Sequence, residues 1–209
     1  MKDRFHKDVC VFFPFFITAG IVFLNVFSAP ASLRAQGFDV SRYFSLSFET
    51  GNWQPHSLND EPRFNTFGEA GATPYFGLGF LMPIGGKAGV RISIGYWSLQ
   101  DLKEVEHIHS LALYPVSLDV KYWFVPDFPL SAYVIYGGGI YWGVENEIDI
   151  RKARGGWGAR LGAGLDLTLF RKFGMGLAFE YLYVHFKDNL GGVNDFSGPK
   201  ISMTFFMLL

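Results

Sequence analysis

From residue 41 onward, apolar side chains alternate with small or polar ones in runs of about ten residues, each followed by a connector. The first run, Tyr43 to Thr50, sets Phe44, Leu46 and Phe48 against Ser45, Ser47 and Glu49, and a long polar stretch follows to about Pro74. The second sets Phe76, Leu78, Phe80 and Met82 against Gly77 and Gly79, and Pro83-Ile84-Gly85-Gly86 predicts a tight turn. The third has Val90, Ile92, Ile94 and Tyr96 opposite Arg91, Ser93 and Gly95, before a charged loop to about His109. In the fourth, Val116, Leu118, Val120, Tyr122 and Phe124 oppose Ser117, Asp119 and Lys121, with a turn at Val125 to Pro129. The fifth, Ser131 to Val144, contains Gly137-Gly138-Gly139 and leads to a charged loop, Glu145 to Gly155. The sixth sets Ala159, Leu161, Ala163, Leu165 and Leu167 against Arg160, Gly162, Gly164, Asp166 and Thr168, and Phe170 to Gly174 turns. The seventh has Leu177, Phe179, Tyr181 and Tyr183 opposite Ala178 and Glu180, and a last loop spans Asp188 to Ser197. The eighth sets Ile201, Met203, Phe205, Met207 and Leu209 against Lys200, Ser202 and Thr204.

Period two means strands with two unlike faces. Runs of about ten residues suit tilted strands crossing a bilayer. In hydrocarbon every backbone N–H and C=O needs a partner, so strands cross only as a closed barrel. An even strand number puts short turns at one end and longer loops at the other. The connectors follow that rule, short after runs two, four and six, longer after one, three, five and seven. The expected fold is therefore all-β, an eight-stranded antiparallel up-and-down transmembrane β-barrel. Two aromatic belts are expected, one from Trp53, Tyr75, Tyr96, Tyr141, Trp142, Trp157 and Tyr183 near the loops. The other comprises Tyr43, Tyr122, Trp123, Phe124, Tyr133 and Phe170 near the turns. Pro115 falls inside the fourth run and cannot donate to a ladder, so either the strand starts there or a bulge absorbs it.

A soluble barrel would carry the same alternation with its apolar face inward. Three features favour the inverted arrangement: a polar face rich in Gly and Ser, an apolar face almost without charge, and a chain that ends on an apolar strand. The first 35 residues are excluded from this pattern. Lys2, Arg4 and Lys7 precede an apolar run from about Val9 to Phe27, and Ala29-Pro30-Ala31 or Ala35 offers a cleavage pattern. This reads as a secretory signal peptide over residues 1–35, with the barrel over 36–209. An uncleaved anchor is the competing reading, weakened by Pro14 and Asn25. The single cysteine, Cys10, lies in that leader and excludes a disulfide-stapled domain or a cysteine-based zinc site in the remainder.

Charge changes the picture of the interior. The formal net charge is −1, so no basic field points to nucleic acid. Four acids, Glu49, Asp119, Asp166 and Glu180, fall on the inward face with four bases, Arg91, Lys121, Arg160 and Lys200. An unpaired buried charge costs several kcal/mol, on the order of 3–5, so this balance predicts an ion-pair network in the lumen. Strand direction and closure place Glu49 and Lys200 together at the seam. A structural plug with low conductance is expected, because small eight-stranded barrels are filled. A gated proton or ion path is the alternative.

Several stretches resemble a known superfamily. They are Pro115 through Phe124, Tyr136-Gly137-Gly138-Gly139-Ile140-Tyr141, Gly158 to Asp166, Phe179-Glu180-Tyr181 and Gly191 through Gly198. Together they resemble the small eight-stranded outer-membrane β-barrels of OmpW, OmpX and OmpA-barrel type. The resemblance implies the bacterial outer membrane as location, with outer-membrane lipids and the barrel-assembly machinery as partners. It also implies that the last strand is an assembly signal, carried here by Phe205, Met207 and Leu209, where family members end in an aromatic residue. Members of the superfamily are variously linked to passage of small hydrophobic compounds, adhesion, stress response and envelope anchoring.

Enzymatic chemistry is not expected. A lipid A deacylase-like His-x-Ser would fall near the end of the seventh run, where this chain has His185-Phe186-Lys187 and lacks the hydroxyl. His185 with Asp188 reads as a loop-edge pair. Glu106, His107 and His109 are too few and too loosely spaced to specify a metal, and no cofactor motif is present. The first long loop, with His56, Asp60, Glu61, Arg63 and Glu69, is the best candidate for contacts with an unknown external ligand. The expectation is a non-enzymatic outer-membrane barrel with a plugged polar lumen, serving envelope integrity, surface interaction or slow passage of small apolar solutes. The alternatives are a lipid A-modifying enzyme of the same architecture and a secreted soluble ligand-binding barrel.

Overall fold

A computed structural model describes residues 40–59, 73–100, 109–147, 150–170 and 172–209. The expected signal peptide lies outside the described residues. The strands are β1 (Ser45–Trp53), β2 (Thr73–Gly85), β3 (Ala88–Gln100), β4 (His109–Trp123), β5 (Leu130–Glu147), β6 (Ile150–Phe170), β7 (Phe173–Leu190), β8 (Val193–Asp195) and β9 (Gly198–Leu208). Each of β1 to β7 pairs antiparallel with the next, and β9 pairs with both β7 and β1, closing the cylinder. The short β8 continues the β9 ladder along β7, so β8 and β9 form one stave and the barrel has eight.

The two faces of each strand settle which side is greasy. Leu118 is 57% exposed, while the next residue, Asp119, is 1% exposed. Phe44, Leu165 and Phe205 are also exposed, and Arg160 is buried. Apolar side chains therefore form the outer wall and charged ones the inner, the reverse of a water-soluble barrel. The exposed belt includes stacked rings on neighbouring strands, Phe44 on Phe80 at 6.0 Å and Phe48 on Phe76 at 6.5 Å.

The connectors depart from the expectation at the loop end. Within the expected loop, Glu145 to Gly155, β5 runs on through Glu147 and β6 starts at Ile150, in register through Glu145↔Lys152 and Asn146↔Arg151. Strand β6 has 21 residues against 9 in β1, so this hairpin stands above the belt. Glu145 and Lys152 face each other as one pair of opposite charges across this ladder, where the alternation of apolar residues no longer marks the strands. The last loop likewise becomes a hairpin, turning at Gly191 and Gly192 with φ of 62° and 91°, a conformation that favours glycine. At the other end, β2 runs through Gly85 with an irregularity between Pro83 and Gly85, and the turn itself is Gly86-Lys87.

Pro115 neither starts β4 nor sits in a bulge. On one side it pairs with Tyr141. On the other, the β3 ladder keeps one register from Ile94↔Val116 to Trp97↔Leu113 but omits the Gly95 and Tyr96 positions between them. The missing donor is accommodated by a local gap. Gly95 makes room for the ring, since a Cβ there would lie 2.9 Å from Pro115 Cγ.

Candidate functional site

The barrel interior holds all eight charged residues singled out above, each buried. They fall into two neutral groups. The larger contains Glu49 (β1), Arg91 (β3), Asp119 (β4), Arg160 (β6), Glu180 (β7) and Lys200 (β9). Lys200 Nζ lies 2.5 Å from Glu49 Oε1 and 2.7 Å from Glu180 Oε2. It also lies 4.3 Å from the centre of the Tyr75 ring, a cation–π position. Arg160 donates from Nε to Asp119 Oδ1 at 2.5 Å and from Nη2 to Asp119 Oδ2. The same Nη2 reaches Ser117 Oγ at 2.8 Å and Ser93 Oγ at 3.1 Å, and Nη1 lies 3.5 Å from Glu180. Arg91 is held more loosely, 3.5 Å from Glu49, 3.7 Å from Asp119 and 3.8 Å from Glu180.

The smaller group is nearer the turns. Lys121 Nζ lies 2.7 Å from Asp166 Oδ2, which also accepts a 2.8 Å bond from Trp123 Nε1. The Lys121 ammonium sits 3.7 Å from the Tyr133 ring centre. A cavity of about 20 Å³ borders this pair, Arg91 and Thr204. That is room for about one water.

Apolar layers lie on either side of the charges. Toward the loops, Trp53, Trp97, Leu113, Tyr141, Phe186 and Phe196 belong to one buried cluster. Trp53 and Trp97 approach to 5.4 Å, Phe186 and Phe196 to 5.2 Å edge-on. Two loop-end segments fold onto this layer. Leu58, from the 3-10 turn His56–Asn59, is buried in it, and so is Leu190 from the β7–β8 hairpin, whose Gly191 N–H donates to Glu145 Oε2 at 3.1 Å. Toward the turns, Leu81, Trp123, Tyr133, Ile135, Phe206 and Leu208 form a second cluster.

These layers correct the aromatic belts. Trp53, Tyr75 and Tyr141 of the loop-end set, and Trp123 and Tyr133 of the turn-end set, point inward and are buried. Tyr96, Trp142, Trp157, Tyr183, Tyr43, Tyr122 and Phe124 are exposed, as a belt requires, and the Phe170 side chain lies outside the described residues. A signal for the inward set was present: Trp53 shares parity with Glu49, Tyr75 with Gly77, Tyr141 with Gly139, and Trp123 with Lys121. Alternation outranks residue type because successive side chains leave opposite faces of a strand.

His185 stacks near Trp157, ring centres 6.4 Å apart, while Asp188 faces Arg154 at 3.7 Å. The expected His185–Asp188 pair is therefore not formed, since the two differ in parity. Phe205 and Leu209 are exposed on the outer row, with Met207 partly so, and the Leu209 N–H donates to Phe44 O at 2.9 Å. Exposed His56 lies beside Tyr181, while Asp60, Glu61, Arg63, Glu69, Glu106 and His107 fall outside the described residues, as does the His109 side chain. Among the described residues no cluster of His, Cys, Asp and Glu is arranged to hold a metal.

No protein-family model matches the chain, and no curated protein matches it in sequence. Solved structures do. Neisserial surface protein A is 11% identical, with a TM-score of 0.52 over 80% of this chain and 96% of its own. The outer membrane protein OprG from Pseudomonas aeruginosa is 14% identical, with a TM-score of 0.50 over 83% and 95%. At such identities the likeness concerns the backbone path, and it agrees with the closed eight-stave ladder. The chain has the fold of the small eight-stranded outer-membrane β-barrels.

Proposed function

We propose that this chain is an integral protein of the bacterial outer membrane whose interior is closed by its own side chains, so that its work is done at its surface. The observation that supports this best is the layering of the lumen: an apolar aromatic layer, a neutral cluster of ionised groups, and a second apolar layer. An aqueous pore needs a continuous polar path, and both apolar layers oppose one. The tall β5–β6 hairpin and the loop-end segments then become the parts that meet the outside, serving envelope integrity or surface contact. The reading is non-enzymatic, because the interior acids and bases are engaged with one another and His185 rests against Trp157. Phe205, Met207 and Leu209 would present the final strand to the assembly machinery, with acyl chains as the solvent of the outer wall.

The test is permeability of the purified, folded barrel. In a planar bilayer it is expected to add no conductance step of the size an open, water-filled porin produces. Liposome swelling in small sugars should match protein-free controls. Large steady conductance would overturn the closed-lumen reading. The apolar upper layer favours one second reading, slow passage of small apolar solutes by repacking of Trp53 and Trp97. Faster uptake of a small hydrophobic dye by barrel-containing liposomes would support it.

A further inference from the structure

The turn end of the barrel carries an uneven charge that the closed-lumen reading leaves unused. Arg42 precedes β1, Lys87 turns β2 into β3, and Lys172 turns β6 into β7; all three are exposed. They occupy three of the five chain positions around this rim, the others being the β4–β5 turn and the end of β9. Asp127, in the β4–β5 turn, is the one acidic side chain among the described residues there. Near the loops the balance reverses, with carboxylates outnumbering bases along residues 54–72, 101–108 and 187–197.

The cations stand among exposed apolar side chains, Tyr43, Ile84, Phe124, Val125, Phe128 and Phe173. Lys87 Nζ donates to the backbone carbonyl of Phe124 at 2.8 Å, which ties the ammonium to the start of the β4–β5 turn. This apolar collar is continuous with the belt above it, where Tyr122 meets Phe124 edge-on at 5.8 Å. Exposed rings beside Lys and Arg mark a surface at headgroup depth, where the rings take the acyl boundary and the cations the phosphates. A water-soluble acidic partner would leave the neighbouring rings, which face outward, uncovered.

We infer that this rim binds anionic glycerophospholipid headgroups of the leaflet facing the turns, through Lys87 and Lys172, with Arg42 adding to the field. The inference rests on the membrane reading above. A lipid headgroup seated at either lysine should be enriched, anionic over zwitterionic, by no more than about five-fold at low salt, the factor that roughly 1 kcal/mol per basic residue near the surface gives. The enrichment should shrink at high salt, where the Debye length falls to about 3 Å at 1 M.

The experiment reconstitutes the full chain in phosphatidylcholine vesicles containing spin-labelled phosphatidylglycerol or spin-labelled phosphatidylcholine. The motionally restricted fraction of each lipid gives its relative association constant. The wild type should prefer phosphatidylglycerol, and the variant K87Q/K172Q should bring the ratio close to one. K87R/K172R should keep the preference, and heat-modifiable migration should show all three folded. Equal restriction of both lipids by the wild type, or an unchanged preference in K87Q/K172Q, would overturn the inference while leaving the membrane reading intact. No restricted lipid of either kind would overturn both. Binding of soluble polyglutamate with no preference between the lipids would assign the rim to an acidic protein partner and overturn the lipid assignment.

Discussion

Lys200 Nζ lies 2.5 Å from Glu49 Oε1 although the two residues are not ladder partners. In the seam register Lys200 faces Trp53 and Glu49 faces Thr204, so the side chains lean four residues along the strands to meet. Lys200 faces Glu180 directly in the β7–β9 ladder. One ammonium therefore links the first and seventh staves through the eighth, at the joint where the cylinder closes.

Replacing this ammonium should be costly. Lys200→Met leaves Glu49 and Glu180 buried with a cation fewer between them, and a loss of about 3–5 kcal/mol is expected. Adding Glu49→Gln to Lys200→Met should restore part of that loss, since the uncompensated charge is then removed. Urea unfolding of the barrel in lipid vesicles, followed by tryptophan fluorescence, measures both. An additive double variant would show that the pair is not coupled.

The seam depends equally on an absent side chain. A Cβ at Gly51 would strike the Ile201 carbonyl oxygen and the Ser202 backbone across the β1–β9 ladder. Gly51→Ala should cost about 1–3 kcal/mol through overpacking. Gly155 has nothing within 4 Å of its would-be Cβ, so Gly155→Ala in the tall hairpin serves as the matched control and should change stability little. Equal effects at the two sites would contradict the register.

The lipid-facing wall can be tested one residue at a time. Leu118→Arg puts a cation on the outer face of β4. It should destabilise the barrel by about 2–4 kcal/mol in a bilayer if the site lies near the midplane. On a water-exposed wall the same change would be close to neutral, so unfolding in vesicles separates the two surroundings directly.

The upper apolar layer should be what closes the lumen toward the loops. Trp53→Ala with Trp97→Ala removes two fully buried indoles. Each should cost about 3–5 kcal/mol, and permeation of small uncharged solutes should rise. Liposome swelling reads permeation, and heat-modifiable migration reads folding. A folded double variant that stays impermeable would place the barrier at the charged layer or below it.

The sequence alone determined the faces. Strict alternation assigned Leu118 and Asp119 to opposite walls, and the same parity collected the eight charges of the lumen network, while the buried Glu145 carries no such signal because it falls where the apolar alternation has ended. Strand direction and closure were enough to bring Glu49 and Lys200 to one seam. Parity also held the inward fate of Trp53, Tyr75 and Tyr141, which their residue type obscured. What only tertiary structure decided was everything that depends on tilt, register and distance across the lumen. Lys200 gains Glu180 as a second partner, and Arg160 bonds Asp119 on a strand that is not its neighbour. The β5–β6 hairpin keeps its backbone ladder beyond the belt although hydrophobic alternation stops there, with Glu145 facing Lys152 across it. Pro115 survives mid-strand because Gly95 lies across from it, a relation between strands that no local pattern contains. Alternation is a property of one strand; side-chain partners are set by how the strands are staggered when the barrel closes.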